Sequence, residues 1–161
     1  NAIRHPIIER LNLDYEYITN DIEIGDNNGI NGMLLYGTNA SGKSSLMKAI
    51  GCNIIMAQAG FFVAANEMEY SPYQYLFTRI NNNDNIFKGE SSFAVEMSEL
   101  RNILKRCNTN SLILGDELCS GTESISALSI FAAAVKKLAT RKGKTIFMEE
   151  QLPLFHFQMI R

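Results

Sequence analysis

Short apolar runs and stretches with helical apolar spacing alternate along this chain. The run Gly32 to Tyr36 (GMLLY) ends at a glycine-rich turn, which predicts a buried strand, and Lys43 to Gln58 has the apolar spacing of a helix. Further strands are predicted at Tyr73 to Ile80, Ser111 to Leu114 and Lys144 to Met148, and further helices at Phe93 to Arg106 and Ser124 to Leu138. This alternation predicts the α/β class, with a mostly parallel sheet flanked by helices. We expect the last strand to lie at an edge of the sheet, with little structure after it to cover it.

Length and composition narrow the class of protein further. The 161 residues are enough for one core and too few for two ordinary domains, and a hydrophobic content of 46% excludes a disordered chain. The net charge is −2, whereas a domain that binds a nucleic-acid backbone by itself usually has an excess of basic residues. We therefore expect any contact with nucleic acid to belong to other parts of a longer protein. The first residue, Asn1 rather than Met, also indicates an excised piece.

The cysteines, histidines and apolar runs argue against several kinds of site. Cys52, Cys107 and Cys119 form an odd set without CxxC spacing, which predicts reduced thiols and an intracellular location in a chain without a signal peptide. His5 and His156 have no ligand-spaced partners, so no transition-metal site is expected. No apolar run is long enough to span a bilayer, and no membrane contact is expected.

A glycine-rich segment follows the first predicted strand and opens the first predicted helix. It fits the phosphate-loop pattern G-x-x-x-x-G-K-[ST] at every fixed position. Glycines let several backbone N–H groups converge on a polyphosphate, and the helix adds its positive N-terminal end. Lys43 is expected to reach the β- and γ-phosphates, and the Ser44 hydroxyl to bind Mg²⁺. A chance match in a turn is the alternative, and the order strand, loop, helix argues against it. The predicted nucleotide-binding residues here are Gly37, Thr38, Asn39, Ala40, Ser41, Gly42, Lys43, Ser44 and Ser45.

Two adjacent carboxylates follow the apolar run that begins at Ser111. Asp116 stands where phosphate-loop enzymes hold Mg²⁺, and Glu117 stands where a general base polarises the attacking water. A solvated strand end is the alternative, and the phosphate loop upstream argues against it. Small GTPases and most kinases lack an adjacent catalytic Glu, whereas ABC-type ATPases have one and hydrolyse ATP between two nucleotide-binding units.

Further segments follow one another in the order and spacing of a known family. They are Arg4-His5-Pro6, Tyr17 to Asn20, Phe77-Thr78-Arg79-Ile80 with Asp84, Gly89 to Met97 (GESSFAVEM) and Asp116 to Thr122 (DELCSGT). Together with the phosphate loop, over about residues 3 to 147, they resemble the C-terminal ABC-type ATPase domain of the MutS DNA mismatch-repair family. The resemblance implies a P-loop NTPase fold and hydrolysis of ATP with Mg²⁺.

The resemblance also implies roles for individual residues and partners for the protein. Tyr17, with Ile18 beside it, would bind the adenine, and Asn39 would touch phosphate or the attacking water. Ser91 would act in trans, at the N-terminus of a helix aimed at the γ-phosphate of a second subunit; a plain N-cap is its other role, and the two are compatible. The implied partners are a second MutS-like subunit, identical or homologous, and mismatched or branched double-stranded DNA held by domains outside this chain. The implied catalytic residues are Glu117, Lys43 and Ser91, and the implied magnesium ligands are Ser44 and Asp116.

The end of the chain departs from the family pattern. After Phe147 the family has an Ala-Thr-His segment whose histidine senses the γ-phosphate, whereas this chain continues Met148-Glu149-Glu150. His156 lies too far along the chain for that role. We therefore divide the chain into an incomplete MutS-like ATPase domain, 1–147, and a tail, 148–161, which is either a genuine variant or the product of a shifted reading frame.

Two other functions stay open beside the ATPase. A truncated nucleotide-binding module would bind ATP without turnover, because the sensor histidine and the dimerisation segment are missing. An ABC-type ATPase of the chromosome-maintenance or transporter kind would carry an L-S-G-G-type signature, where this chain has Gly89 to Phe93 (GESSF).

Overall fold

The computed structural model describes residues 1–11, 14, 16–25, 29–38, 41–79, 92–116, 124–140 and 144–149. These residues belong to two compact units, one made of Asn1–Glu23 and Gly37–Pro72, the other of Ile24–Tyr36 and the described residues from Tyr73 onward. The elements in chain order are α1 (Ile8–Leu11), β1 (Gly32–Tyr36), α2 (Lys43–Gln58), β2 (Tyr75–Arg79), α3 (Ser92–Arg106), β3 (Ser111–Asp116), α4 (Ser124–Thr140) and β4 (Lys144–Glu149).

The second unit contains a four-stranded sheet with the order β1-β4-β3-β2. Every neighbouring pair is parallel, with Tyr36 opposite Glu149, Asp116 opposite Met148, and Arg79 opposite Gly115. The α/β class and the parallel sheet predicted from the sequence are confirmed. The expectation that the last strand lies at an edge is wrong, because β4 pairs with β1 on one side and with β3 on the other. A crossover connection in a parallel sheet is long enough to pass over a neighbouring strand, so chain order does not set strand order.

The core of the second unit is built on β3, all six residues of which are buried. A fully buried parallel strand has a nearly continuous apolar run, as Leu112, Ile113 and Leu114 provide here. Helices α3 and α4 cover it with the buried side chains of Ile103, Phe131 and Leu138, and Cys107, the residue after α3, packs with them and with Ile113. Partly buried residues complete this cluster: Phe77, Met97, Leu104, Ala127, Ile130 and Val135.

The first unit is organised around α2. A glycine in the left-handed region, Gly60 (φ 79°), follows the end of this helix, and the N–H of Phe61 bonds to the carbonyl of Met56 (2.9 Å), which is the usual glycine-based C-terminal cap. On its buried face, Asn53 is fully enclosed and joins three chain segments. Its Nδ2 donates to the carbonyls of Arg4 (3.0 Å) and Ala49 (2.8 Å), and its Oδ1 accepts from the N–H of Ala64 (2.6 Å).

Candidate nucleotide-binding site

The glycine-rich segment turns the chain from β1 into α2. Gly42, the residue before the helix, has φ 93° and ψ 6°, a left-handed conformation that glycine adopts without the steric cost of a side chain. At Gly37 a Cβ atom would lie 3.3 Å from the Ser41 side-chain oxygen, so the bare backbone allows a close approach within the loop. The first turn of α2 contains no acidic residue. The described part of the loop is therefore shaped by glycine, and the first turn of the helix adds no carboxylate of its own to the positive helix end.

Lys43, the first residue of α2, folds its side chain back over this loop. Its Nζ donates hydrogen bonds to the carbonyl oxygens of Gly37 and Thr38, the latter at 2.9 Å. The N–H of Ser41 also bonds to the Thr38 carbonyl, at 3.3 Å. The ammonium group is thus held at the loop, beside the first turn that carries the half-buried Ser44. Asn39 and Ala40 lie outside the described residues.

The second predicted site segment lies at the end of β3. Asp116 is the last residue of that strand and is buried, with 6% of its surface exposed. Strand β1 lies on the other side of β4 and ends at Tyr36. Because these strands are parallel, Tyr36 and Asp116 both lie on the side of the sheet where the strands have their carboxyl ends. Strands that flank one common neighbour are about 10 Å apart. The general-base candidate Glu117 lies outside the described residues.

The N-terminal half of α3 is tied to the end of β2 by a buried ion pair that sequence reasoning missed. Arg79 Nη2 lies 2.9 Å from Glu96 Oε1, and Arg79 Nε lies 2.9 Å from Glu99 Oε2. Only 3% of the Glu96 side chain is exposed. A detectable signal was present in the sequence, because Glu96 falls on the same helical face as Leu100 and Ile103, where an apolar residue is expected. The in-trans candidate Ser91 lies outside the described residues, and α3 begins at Ser92.

The remaining predicted residues lie in the N-terminal segment of the first unit. Tyr17 is half-buried, whereas Ile18 is 85% exposed. The structure thus has Tyr17, Gly37, Lys43 and Ser44 in the unit built on α2, and Asp116 in the unit built on the sheet. Within the described part of the chain, no three His, Cys, Asp or Glu side chains cluster as a ready metal site. A search of the same residues finds no helix both long and apolar enough for a transmembrane span.

Comparison with known proteins identifies the family. Residues 33–159 match the family model "MutS domain V". A mitochondrial DNA mismatch repair protein mutS homolog of Sarcophyton glaucum is 47% identical over 136 residues, which are 84% of this chain and 13% of the relative. A putative DNA mismatch repair protein mutS homolog of Acanthamoeba polyphaga mimivirus is 40% identical over 178 residues, covering 90% of this chain and 16% of the relative. The DNA mismatch repair protein MutS of Finegoldia magna is 43% identical over 146 residues, covering 89% of this chain and 17% of the relative.

The chain belongs to the MutS family. It spans between 13% and 17% of the length of these three relatives. The family match begins within β1 and continues beyond β4. Strand β4 ends at Glu149, two residues after residue 147, where the sequence analysis divides the ATPase domain from the tail.

Proposed function

We propose that this chain is the ATP-binding and ATP-hydrolysing motor domain of a MutS-like DNA mismatch-repair protein. In this proposal it has a P-loop NTPase fold of the ABC type and works as a dimer with composite nucleotide sites. The observation that carries the proposal is the arrangement of the parallel sheet. Strands β1 and β3 end on the same side of the sheet, β3 in the buried carboxylate of Asp116 and β1 in Tyr36, the residue before the glycine-rich loop in sequence. Phosphate ligands bind on this side of open α/β sheets.

The residues fit a magnesium–triphosphate group. Gly42 and the uncapped first turn of α2 offer backbone N–H groups to phosphate oxygens, and Lys43 supplies a cation already held at the loop. The Ser44 hydroxyl and the Asp116 carboxylate are hard oxygen ligands of the kind that Mg²⁺ binds together with substrate phosphates. When bound, Mg²⁺ would offset the negative charge of the β- and γ-phosphate oxygens.

The chemical step is assigned to residues that the sequence motifs single out. Glu117 orients and deprotonates the attacking water, and Asn39 contacts phosphate or that water. Tyr17 stacks on the adenine with Ile18 beside it. Ser91 of one subunit reaches the γ-phosphate held by the other, at the N-terminal end of α3.

The wider task of the protein is proposed from its relatives, whose names describe DNA mismatch repair. Mismatched or branched double-stranded DNA would be held by domains outside this chain, which agrees with its net charge of −2. Opening and closing of the dimer with nucleotide state would transmit ATP turnover to those domains.

A second candidate is a nucleotide-binding module without turnover. It is favoured by one specific observation, the end of β4. Met148 and Glu149 form the last two positions of this strand, and Glu150 follows where the family resemblance expects a histidine that senses the γ-phosphate.

The test is steady-state ATP hydrolysis as a function of protein concentration, beside equilibrium Mg-ATP binding, with the full-length protein. Glu117→Gln should keep ATP binding and lose hydrolysis by about 100-fold or more, because it removes the general base. Lys43→Ala should weaken binding as well. The matched control is Lys48→Ala, an exposed lysine of the same helix, which should change neither property.

The outcomes separate the two candidates. A rate per subunit that rises with concentration and disappears in Glu117→Gln supports the composite-site ATPase. Binding that depends on Lys43 without any hydrolysis supports the module without turnover. Folded protein that does not bind nucleotide refutes both.

A further inference from the structure

We propose that Arg79 is a positioning residue for the half-site that α3 presents to a second subunit. Its ion pairs with Glu96 and Glu99 fix the N-terminal half of α3 on the end of β2. They thereby set the direction in which the N-terminus of this helix approaches the nucleotide of the partner. This inference rests on the proposed function, since it assigns a role within the composite site.

The geometry of the contact restricts how α3 can move. Glu96 and Glu99 are three residues apart, so they lie on one face of the helix in successive turns. Arg79 Nη2 donates a hydrogen bond to Glu96 Oε1 at 2.9 Å, and Arg79 Nε lies 2.9 Å from Glu99 Oε2 in an ion pair without hydrogen-bond geometry. The buried hydrogen bond to Glu96 fixes the position of one turn of the helix, and the charge attraction to Glu99 in the next turn favours one rotation of the helix about its axis. Arg79 is also the strand residue opposite Gly115, next to Asp116. Arg79 therefore connects the N-terminal half of α3 to the strand end that carries the proposed magnesium ligand, Asp116.

Burial indicates that the pair contributes position more than net stability. The side chains of Arg79 and Glu96 are 14% and 3% exposed. Removing two charges from water is costly, and well-packed apolar residues of similar volume often serve a fold equally well at such places. Glu96 is flanked on α3 by Met97 and Leu100, which pack into the core, so an apolar residue at its position would suit simple packing.

The other end of the same helix provides a matched control. Arg106, the last residue of α3, lies over the ring of Tyr75, the first residue of β2, at 5.7 Å from the ring centre. This contact also joins α3 to β2 through an arginine, but at the end of the helix away from its N-terminus. Arg106→Gln should therefore leave ATP turnover unchanged.

The first experiment compares kcat, ATP affinity and thermal unfolding in the full-length protein. The double variant Arg79→Met with Glu96→Met replaces the ion pair with apolar side chains and leaves no buried charge unpaired at these two positions. It should lower kcat by about 10-fold or more, as loss of alignment in a reacting complex does, while ATP affinity and the unfolding midpoint stay near those of the unsubstituted protein. Arg79→Lys keeps the positive charge without the planar guanidinium, so its kcat should lie between that of the double variant and that of the unsubstituted protein.

The second experiment asks whether Arg79 acts on the partner's nucleotide. Two differently tagged copies are co-expressed, one with Lys43→Ala and one with the double methionine change, and the mixed dimer is purified. Its one intact site combines Lys43 of the second copy with the unaltered α3 of the first. If Arg79 acts in trans, this dimer should recover about half of the unsubstituted rate, since a symmetric dimer has two sites.

Each outcome decides a separate question. Loss of kcat with retained affinity, and recovery in the mixed dimer, support the positioning role. Unchanged kcat in the double variant, equal loss in Arg106→Gln, or no recovery in the mixed dimer overturns it. Absence of ATP hydrolysis in the unsubstituted protein instead refutes the proposed ATPase function.

Discussion

His5 accepts two backbone hydrogen bonds through one ring nitrogen. Its Nδ1 lies 3.2 Å from the N–H nitrogen of Ile7 and 3.3 Å from that of Ile8, at the start of α1. An accepting nitrogen carries no proton, so the cap requires the neutral ring. Burial, and then the positive charge of Lys48, lower the pKa of His5 below its ordinary value of 6.5.

The lowered pKa of His5 predicts a pH-dependent stability. The stability contributed by the neutral His5 ring is complete above pH 6.5. It is lost as the pH falls from there through the folded-state pKa, because the unfolded chain binds a proton more readily than the folded chain does. The free energy of unfolding should decrease below pH 6.5 with a slope from this group of at most about 1.4 kcal/mol per pH unit. Urea unfolding of the full-length protein between pH 7.5 and pH 5 measures this slope. His5→Asn keeps an accepting cap without titrating and should flatten it. An NMR titration that gives His5 a pKa of 6.5 or higher would contradict the prediction.

The residues that could be predicted from the sequence are those whose role depends on their near neighbours. Gly42 and Lys43 belong to a motif whose backbone shape is local, and the structure has a left-handed glycine followed by the first residue of a helix. Arg79 and Glu96 are 17 residues apart, and nothing local to either one indicates the other. Their contact exists only once α3 has packed beside β2. The local shape of the glycine-rich loop could therefore be predicted from the sequence, whereas the contact between Arg79 and α3 could not.

At the scale of single elements, predictions succeeded where both ends carry a chemical signal. Helix α2 begins and ends at the predicted residues, Lys43 and Gln58, because glycines in the left-handed region lie at both of its ends. Strand β3 was predicted to end at Leu114 but continues to Asp116. The extension follows from pairing with β4, where Asp116 lies opposite Met148. A ladder of hydrogen bonds supplied by another strand has no signal in the sequence of β3 itself.

The position of α2 in its unit should depend on Asn53. Asn53→Ala removes a fully buried amide and leaves the Arg4 carbonyl and the Ala64 N–H without the partner shown here. We expect the free energy of unfolding of this unit to decrease by about 2 to 4 kcal/mol, from unsatisfied polar groups and the cavity together. Urea denaturation followed by hydrogen exchange of α2 amides measures the loss.

The control for Asn53 is a second asparagine that also contacts Arg4. Asn66 accepts from Arg4 Nη1 at 3.0 Å but is exposed. Asn66→Ala should change the free energy of unfolding by no more than about 0.5 kcal/mol. Equal effects of the two substitutions would refute the assignment of Asn53 as the residue that joins the three segments.

At the scale of the whole molecule, strand order was the feature that the sequence did not predict. The class of fold follows from alternating periodicities, which each segment carries by itself. The order β1-β4-β3-β2 depends instead on which strand each crossover passes over, and that choice is settled by packing among all elements of the sheet. For this reason the last strand, expected at an edge, lies inside.

The inner position of β4 predicts a sharp difference between two truncations. A protein that ends after Glu149 keeps all four described strands, whereas one that ends after Gly143 lacks the only strand with which β1 pairs in the described sheet. We expect the shorter protein to lose cooperative urea unfolding of the sheet and to associate through its exposed strand edges. Circular dichroism and light scattering across the unfolding transition distinguish the two. Equal unfolding midpoints would contradict an inner position for β4.

The same arrangement has a consequence for synthesis on the ribosome. β1 is complete at Tyr36, and its partner strand begins only at Lys144, an interval that takes roughly 5 to 20 seconds to translate. During that time β2 and β3, which are parallel and joined through α3, are the two strands of the described sheet that can already pair, as a strand–helix–strand unit. β1 must wait in the nascent chain until β4 enters between it and β3. A reading error just after Gly143 would therefore alter β4 and also leave β1, the strand synthesised first, without its pairing partner in the described sheet.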